Sequence, residues 1–217
     1  MTARRGRYSA GQETRVLLVE TAERLFARRG YEAVTLAEIR SAAGQHNSSV
    51  ISYYFGSKEK LLEAVLEHRL PAISRDREAM IRDRSAPDGR LGVRDALWCL
   101  VQPLADSLRD GNHYVGLLDR LMESEVLGTV FVSADPVVTS SGLAIDQALH
   151  AALADVPEDA RRQRIMIVYE SALGTLSRYG RSGSSPGQAE LSALIDAWEG
   201  LLRAPTSAET RSARGHS

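Results

Sequence analysis

The sequence predicts an all-α protein, and three observations carry that expectation. Apolar residues recur at three- and four-residue spacing along most of the 217 residues. The seven prolines fall mostly between those periodic stretches. No long alternating run of β-branched residues competes with them. A hydrophobic share of 43% and a charged share of 25% are those of an ordinary globular protein, long enough for one substantial core or a small domain joined to a larger one. The single cysteine, Cys99, excludes an internal disulfide and fits a reducing cytoplasm. No uninterrupted run of 18 apolar residues offers a membrane span. The basic start MTARRGRYSAGQETR is not followed by the apolar core of a secretory signal.

Taken in order, residues 1–11 read as a disordered tail, with Arg4, Arg5 and Arg7 among small residues. They are either solvated or an arm that reaches phosphate or a minor groove. The first helix is expected from Gln12 or Thr14 to Arg29, with Val16, Val19, Ala22, Leu25 and Phe26 inward, and Gly30 ends it. Thr35 and Glu38 form a capping-box pattern for a two-turn helix carrying Leu36, Ile39 and Ala43, which Gly44 stops. Asn47 can cap the next helix, whose body holds Val50, Ile51, Tyr54 and Phe55. Gly56 stops it, and Ser57 caps KEKLLEAVLEHR. A helix, a short turn and a second helix is the geometry that sets one helix into a DNA major groove.

Beyond this point the helix from Ser57 is expected to run to about Arg69 and to kink or restart at Pro71. The stretch 85–89 is a loop, followed by a helix over 91–108 broken near Leu100 ahead of Pro103. Further helices are expected over 113–127, 136–155, 157–179 and 188–202, and residues 204–217 read as a disordered tail.

The stretch 12–65 resembles the N-terminal DNA-binding domain of the TetR family of transcriptional regulators. Four features carry the resemblance: LFARRGYEAVTLAEIRSAAG, the apolar Ile51, the aromatic run Tyr53-Tyr54-Phe55, and Gly56-Ser57-Lys58-Glu59-Lys60-Leu61-Leu62. One departure is an extra residue between Ala43-Gly44 and the aromatic run. It enlarges the turn holding Gln45 and His46 and leaves open which residues at the start of the second helix point at bases. The resemblance implies a three-helix, homeodomain-like helix-turn-helix domain over 12–56 and a helical effector-binding and dimerisation domain over 57–203. It also implies a homodimer, repressing or activating, that binds double-stranded DNA and answers to a small molecule. A helical small-molecule-binding protein keeping the helix-turn-helix only as scaffold is the competing reading.

Charge agrees with a DNA-facing first domain. Residues 1–60 hold ten Lys/Arg against six Glu, while the remainder holds 17 basic and 22 acidic residues. Counting back from Phe55, the resemblance puts Ser48, Ser49, Val50 and Ser52 at bases. It puts Tyr53, Tyr54, Lys58 and Thr35 at phosphates, with Gln45, His46 and Asn47 as further contacts of the turn. Tyr54 can alternatively pack against Phe26. For an effector pocket the aromatic, sulfur-bearing and polar residues between 91 and 176 are candidates: Trp98, Cys99, Gln102, Tyr114, Leu118, Met122, Phe131 and Tyr169. Each can equally be plain core. The last two helices carry wide apolar faces, and the resemblance makes Ile165, Tyr169, Leu173, Leu176, Leu191, Leu194, Ile195 and Trp198 a dimer face. Five scattered histidines show no ligand spacing, and no nucleophile elbow, P-loop or dinucleotide fingerprint occurs. No metal, cofactor or enzymatic activity is therefore expected.

Overall fold

The computed structural model describes residues 2–122, 124, 126 and 136–214, and the side chains of 11–122, 124, 126 and 140–210 together with 212. Every regular element among them is helical. Helix α1 spans Thr2–Arg29, α2 Leu36–Ala42, α3 Val50–Tyr54 and α4 Lys58–Arg84. A loop leads to α5 (Val93–Ser107), a 3₁₀ turn (Leu108–Asp110) and α6 (Tyr114–Met122). Helices α7 (Pro136–Ala152), α8 (Glu158–Arg181), α9 (Gln188–Arg203) and α10 (Ala208–Arg214) follow.

Local sequence explains most boundaries. Thr35 Oγ1 accepts the Glu38 N–H at 3.2 Å, while the Glu38 carboxylate accepts the Thr35 N–H at 2.8 Å, closing the capping box. Gly44 and Gly56 take φ of +65° and +81°, the left-handed conformation that lets the chain leave α2 and α3. Ser57 Oγ accepts the Lys60 N–H at the start of α4.

Three expectations are corrected. Residues 2–11 are the first turns of α1 instead of a tail, because Arg and Ala propagate a helix already nucleated downstream. Residues 208–214 are helical within the expected tail, in an Ala/Glu/Arg-rich segment where Ser207 Oγ accepts the Thr210 N–H. Finally, α4 runs unbroken through Pro71 and α5 through Pro103. A proline costs an interior helix about 3 kcal/mol. Burial on both sides offsets that cost: Leu66, Leu70 and Ile73 in α4, and Cys99, Val101 and Leu104 in α5.

Two halves of one apolar core hold these helices. The first joins Leu18, Val19, Ala22 and Phe26 of α1 to Val34, Ile39, Ile51, Leu62 and Val65, and thereby fixes α2 and α3 on α1. The second joins α5, α6, α7, α8 and α9 through Leu97, Val101, Leu117, Leu121, Ile145, Val168 and Ile195. Helix α4 belongs to both. At the seam, Glu23 of α1 is 1% exposed. Its carboxylate accepts Arg69 Nε of α4 at 2.7 Å and the backbone N–H of His113, just ahead of α6, at 2.6 Å. Beside it Gly116 of α6 packs on Ala27 of α1, where a Cβ would stand 3.4 Å from the alanine Cβ. Helix α1 is thus clamped to α4 and α6 through a buried charge and a close helix contact.

Candidate nucleic-acid interface

The turn between α2 and α3 is built by side chains as much as by backbone. Arg40 Nη1 donates to the carbonyls of Gln45 (3.2 Å) and His46 (3.1 Å), and the Gln45 N–H donates back to Arg40 O at 3.0 Å. Asn47 Oδ1 accepts both the N–H (3.0 Å) and the hydroxyl (2.8 Å) of Ser49, an Asx turn leading into α3. The sequence expected Asn47 to cap this helix; the N-cap is instead Ser49, and Asn47 shapes the turn ahead of it. Sequence reasoning missed Arg40, because nothing in the spacing tells an inward-curled arginine from a solvated one.

Two faces result. Val50 (6% exposed) and Ile51 (3%) form the inner face, within the apolar core. Val50, expected at a base, is therefore part of the core and not of the exposed face. His46, Asn47, Ser48, Ser49, Ser52 and Tyr53 are exposed together on the outer face, with Gln45 half-buried and donating to Ala43 O. Hydroxyls, a carboxamide and an imidazole at this face can donate to or accept from base edges. Tyr53 stands 80% exposed, its ring meeting Tyr54 edge-on at 5.0 Å. Tyr54 is half-buried, and the ring contacts found for it are to Tyr53 and to Phe55 (6.2 Å). Phe26 instead stacks on Tyr31 at 5.3 Å.

Lys58 and Thr35, expected at phosphates, already have intramolecular partners. Lys58 Nζ lies 4.2 Å over the Tyr31 ring and donates to Glu32 O at 3.4 Å, tying α4 to the α1–α2 connection. Contact with phosphate would require that ammonium to swing out. The Thr35 hydroxyl donates to Glu38 and is exposed. Glu38 also accepts Arg29 Nη1 at 2.7 Å, so α1 and α2 share a surface ion pair.

That network sets a pH dependence. The Thr35 backbone N–H, then Arg29, hold the Glu38 carboxyl down at about 2, from an ordinary 4.5. A depressed carboxyl stabilises the fold above its unfolded pKa, and that contribution is lost as pH falls through the folded value. Acid titration from pH 4.5 to 2 should therefore loosen the α1–α2 contact, followed by the amide shifts of Thr35 and Glu38. In Glu38→Gln this leg should be flat; an unchanged titration would contradict the assignment.

The remaining expected sites fare differently. Trp98, Cys99, Tyr114 and Leu118 are buried, and their side chains are part of the apolar core. Gln102 is turned to Asp106 (2.9 Å) and the Tyr169 hydroxyl to Asp146 (2.8 Å), while Met122 is half-buried. Burial pushes the Cys99 thiol up to about 11, the opposite of a reactive thiolate. Phe131 lies outside the described residues. None of the others borders the cleft of about 760 Å³ between α4, the 85–92 loop and α7, or that of about 360 Å³ between α1, α6 and α8. On the expected dimer face, Ile165, Leu176, Leu191, Ile195 and Trp198 are buried within their own subunit, Trp198 donating Nε1–H to Ser171 Oγ at 3.0 Å. Tyr169, Leu173 and Leu194 are half-buried. The outward apolar residues of α8 are instead Met166 and Ile167, at 47% and 40% exposed.

A three-helix domain with an exposed second helix, mounted on a helical body, defines the class of helix-turn-helix proteins. Within it, residues 18–65 match the model of the bacterial regulatory proteins, tetR family. By that match the N-terminal stretch is similar to the DNA-binding domain of the tetR family. It is 36% identical over 76 residues to the HTH-type transcriptional regulator BetI of Brucella suis, covering 35% of this chain and 38% of that one. To the HTH-type transcriptional regulator TtgR of Pseudomonas putida it is 39% identical over 56 residues, 26% of each chain. The match thus spans 38% of the first relative's length and 26% of the second's. Beyond the first domain the likeness is one of fold. The fatty acid degradation regulator FadR from Bacillus halodurans superposes with a TM-score of 0.57 at 16% identity, over 88% of this chain and 95% of that one. A gamma-butyrolactone receptor (ArpA like protein) gives 0.50 at 24%, over 94% and 93%. Among the described residues no helix is long and apolar enough to cross a membrane.

Proposed function

We propose that this chain is a transcriptional regulator, most simply a repressor, that binds an inverted-repeat duplex as a homodimer and releases it when a small organic effector binds the second domain. One observation carries the reading: in the family-matched domain, the turn and α3 present His46, Asn47, Ser48, Ser49, Ser52 and Tyr53 together on one exposed face. The hydroxyls and carboxamide of the turn read base edges, and Tyr53 fixes register on phosphate. Two such faces must stand about 34–36 Å apart to enter successive major grooves. Helix α4, held to α1 and α6 through Glu23, transmits a change in the second domain to that spacing. Moving from mostly bound to mostly released takes about 5.5 kcal/mol of differential affinity.

Selection from a random duplex pool at two salt concentrations tests the DNA claim. A palindrome with steep salt dependence supports it, and no enriched sequence at low salt defeats it. On the selected duplex, Tyr53→Ala should weaken binding roughly 10- to 100-fold, the size of a hydrogen bond to a charged group. Tyr53→Phe should reproduce most of that loss, and neither change should shift thermal stability of so exposed a side chain. Met166 and Ile167, with the exposed small residues Ala193 and Ala197 of α9, offer the surface for a second copy. Ile167→Glu should therefore yield monomers in sedimentation and weaken palindrome binding while leaving the fold intact. A dimer unchanged by that substitution would place the interface elsewhere.

A further inference from the structure

Arg77 of α4 lies in the middle of the second domain at 9% exposed. Its Nη2 donates to the carbonyl of Leu100 at 3.3 Å, and its Nε has no hydrogen-bond partner among the described residues. No carboxylate among them comes within ion-pair distance of it, whereas Arg69, Arg84 and Arg94 each meet one. Asp146, an acid of the adjoining helix α7, is committed elsewhere: Oδ1 accepts the Tyr169 hydroxyl, and Oδ2 lies 3.8 Å from His150 Nε2. The groups whose charge reaches the guanidinium are Tyr114, Tyr169 and Cys99, and burial holds its pKa below the ordinary value. Arginine nonetheless stays charged in a protein interior. A buried charge without a counter-ion is among the most destabilising features a core can keep. For folding alone an apolar residue would serve better.

Its neighbours across the seam are small and polar. Small residues flank the guanidinium along the α4–α7 seam. Ser74 and Ser141 are buried with hydroxyls 3.2 Å apart, and a Cβ on Gly142 would stand 3.7 Å from Arg77 Nη1. One helical turn further along the same seam, Ile81 of α4 and Ala144 and Ala148 of α7 border the 760 Å³ cleft, with Leu91 and Val93 opposite.

We propose that Arg77 is the anion-binding residue of an effector site in the α4–α7 seam, and that the effector is an organic carboxylate whose apolar body extends toward the Ile81–Ala148 cleft. The carboxylate accepts from the guanidinium, a planar fork suited to it, and the Ile81, Ala144 and Ala148 side of the cleft takes an apolar body, with Asp88, Arg90, Gln147 and Arg203 at its other edges. A cationic ligand is repelled at the same point. This inference rests on the regulator reading for its biological sense. The anion site itself can be judged without it.

The test uses the full chain and thermal unfolding. Sodium octanoate and sodium benzoate are the probes, with 1-octanol and octylamine as neutral and cationic controls. At about a hundredfold excess over Kd, a carboxylate that occupies the site should raise Tm by roughly 5–10 °C. The alcohol and amine should not. Arg77→Met should fold with a Tm equal to or above that of the parent and be blind to both carboxylates. Gly142→Leu, which keeps the charge and fills the space beside it, should be folded and equally blind. Three results would overturn the proposal: a lower Tm for Arg77→Met, showing the charge is paired within the chain; equal responses of parent and variants; or no response of the parent to either carboxylate. On the selected palindrome, octanoate or benzoate should release the parent protein and not the variants. Failure to bind any duplex would remove the regulator reading while the melting curves still decide the anion site.

Discussion

Replacing Glu23 by alanine should cost about 3–5 kcal/mol of stability, the range for removing one partner of a buried ion pair. Glu23 is 1% exposed, and its loss leaves the His113 N–H without its acceptor and Arg69 with Glu20 alone, 3.8 Å away. For a chain of this size the midpoint should fall by roughly 6–20 °C. The double variant Glu23→Ala/Arg69→Ala should lose less than the two single losses added together, because the two side chains share one contact and each single loss already removes it. Glu23→Gln keeps an acceptor for His113 and should lie between. Because the carboxylate bridges α1, α4 and α6, any palindrome binding left in Glu23→Ala should respond less to whatever ligand releases the parent. Urea unfolding and binding titrations measure both effects. A loss under about 1 kcal/mol would mean that water takes over the contact, and the clamp would have to be sought elsewhere.

Phe26→Ala should rank beside it, at about 3–5 kcal/mol, the usual result of truncating a fully buried aromatic. The ring is wholly inaccessible, packs on Tyr31 at 5.3 Å, and sits in the cluster that includes Val34, Ile39 and Ile51. Lys58 lies 6.0 Å over it and 4.2 Å over Tyr31, so the cation that ties α4 to this region loses part of its seat as well. Because the cavity opens directly behind α2 and α3, duplex binding should weaken by more than global unfolding alone accounts for. Phe26→Leu fills most of the space and should cost far less. Equal losses from the two substitutions would show that the site relaxes around the gap.

How much of this was legible beforehand depended on whether the signal was local. Thr35 with Glu38, Gly44 and Ser57 mark their boundaries through backbone chemistry within three or four residues, and each stands where the sequence places it. The prolines misled because tertiary burial, invisible in a local reading, keeps α4 and α5 continuous through them. On α8 and α9, apolar period alone could not say which side of a wide face meets its own subunit. Ile165 and Trp198 are inside, and Ile167, two residues from Ile165, is outside. Val50 failed for a related reason: counting positions along a chain with an enlarged turn does not settle which way a short helix is rotated. Arg77 sits in SRDREAMIRDR, which reads as a solvated, charge-laced helix face. Only the packing of α5 and α7 on it turns that arginine inward.

The passage of α4 through both halves of the core has a consequence for anyone recombining this protein. There is no linker at residue 57 to cut. A chimaera that grafts the first 56 residues onto another helical body would part Glu23 from Arg69 and His113 and strand Tyr31 without Glu59 and Lys58. The transplantable unit is therefore larger than the family-matched stretch 18–65: it includes α4 at least through Arg69 and the start of α6, and a graft that respects this boundary should keep the relay as well as the fold.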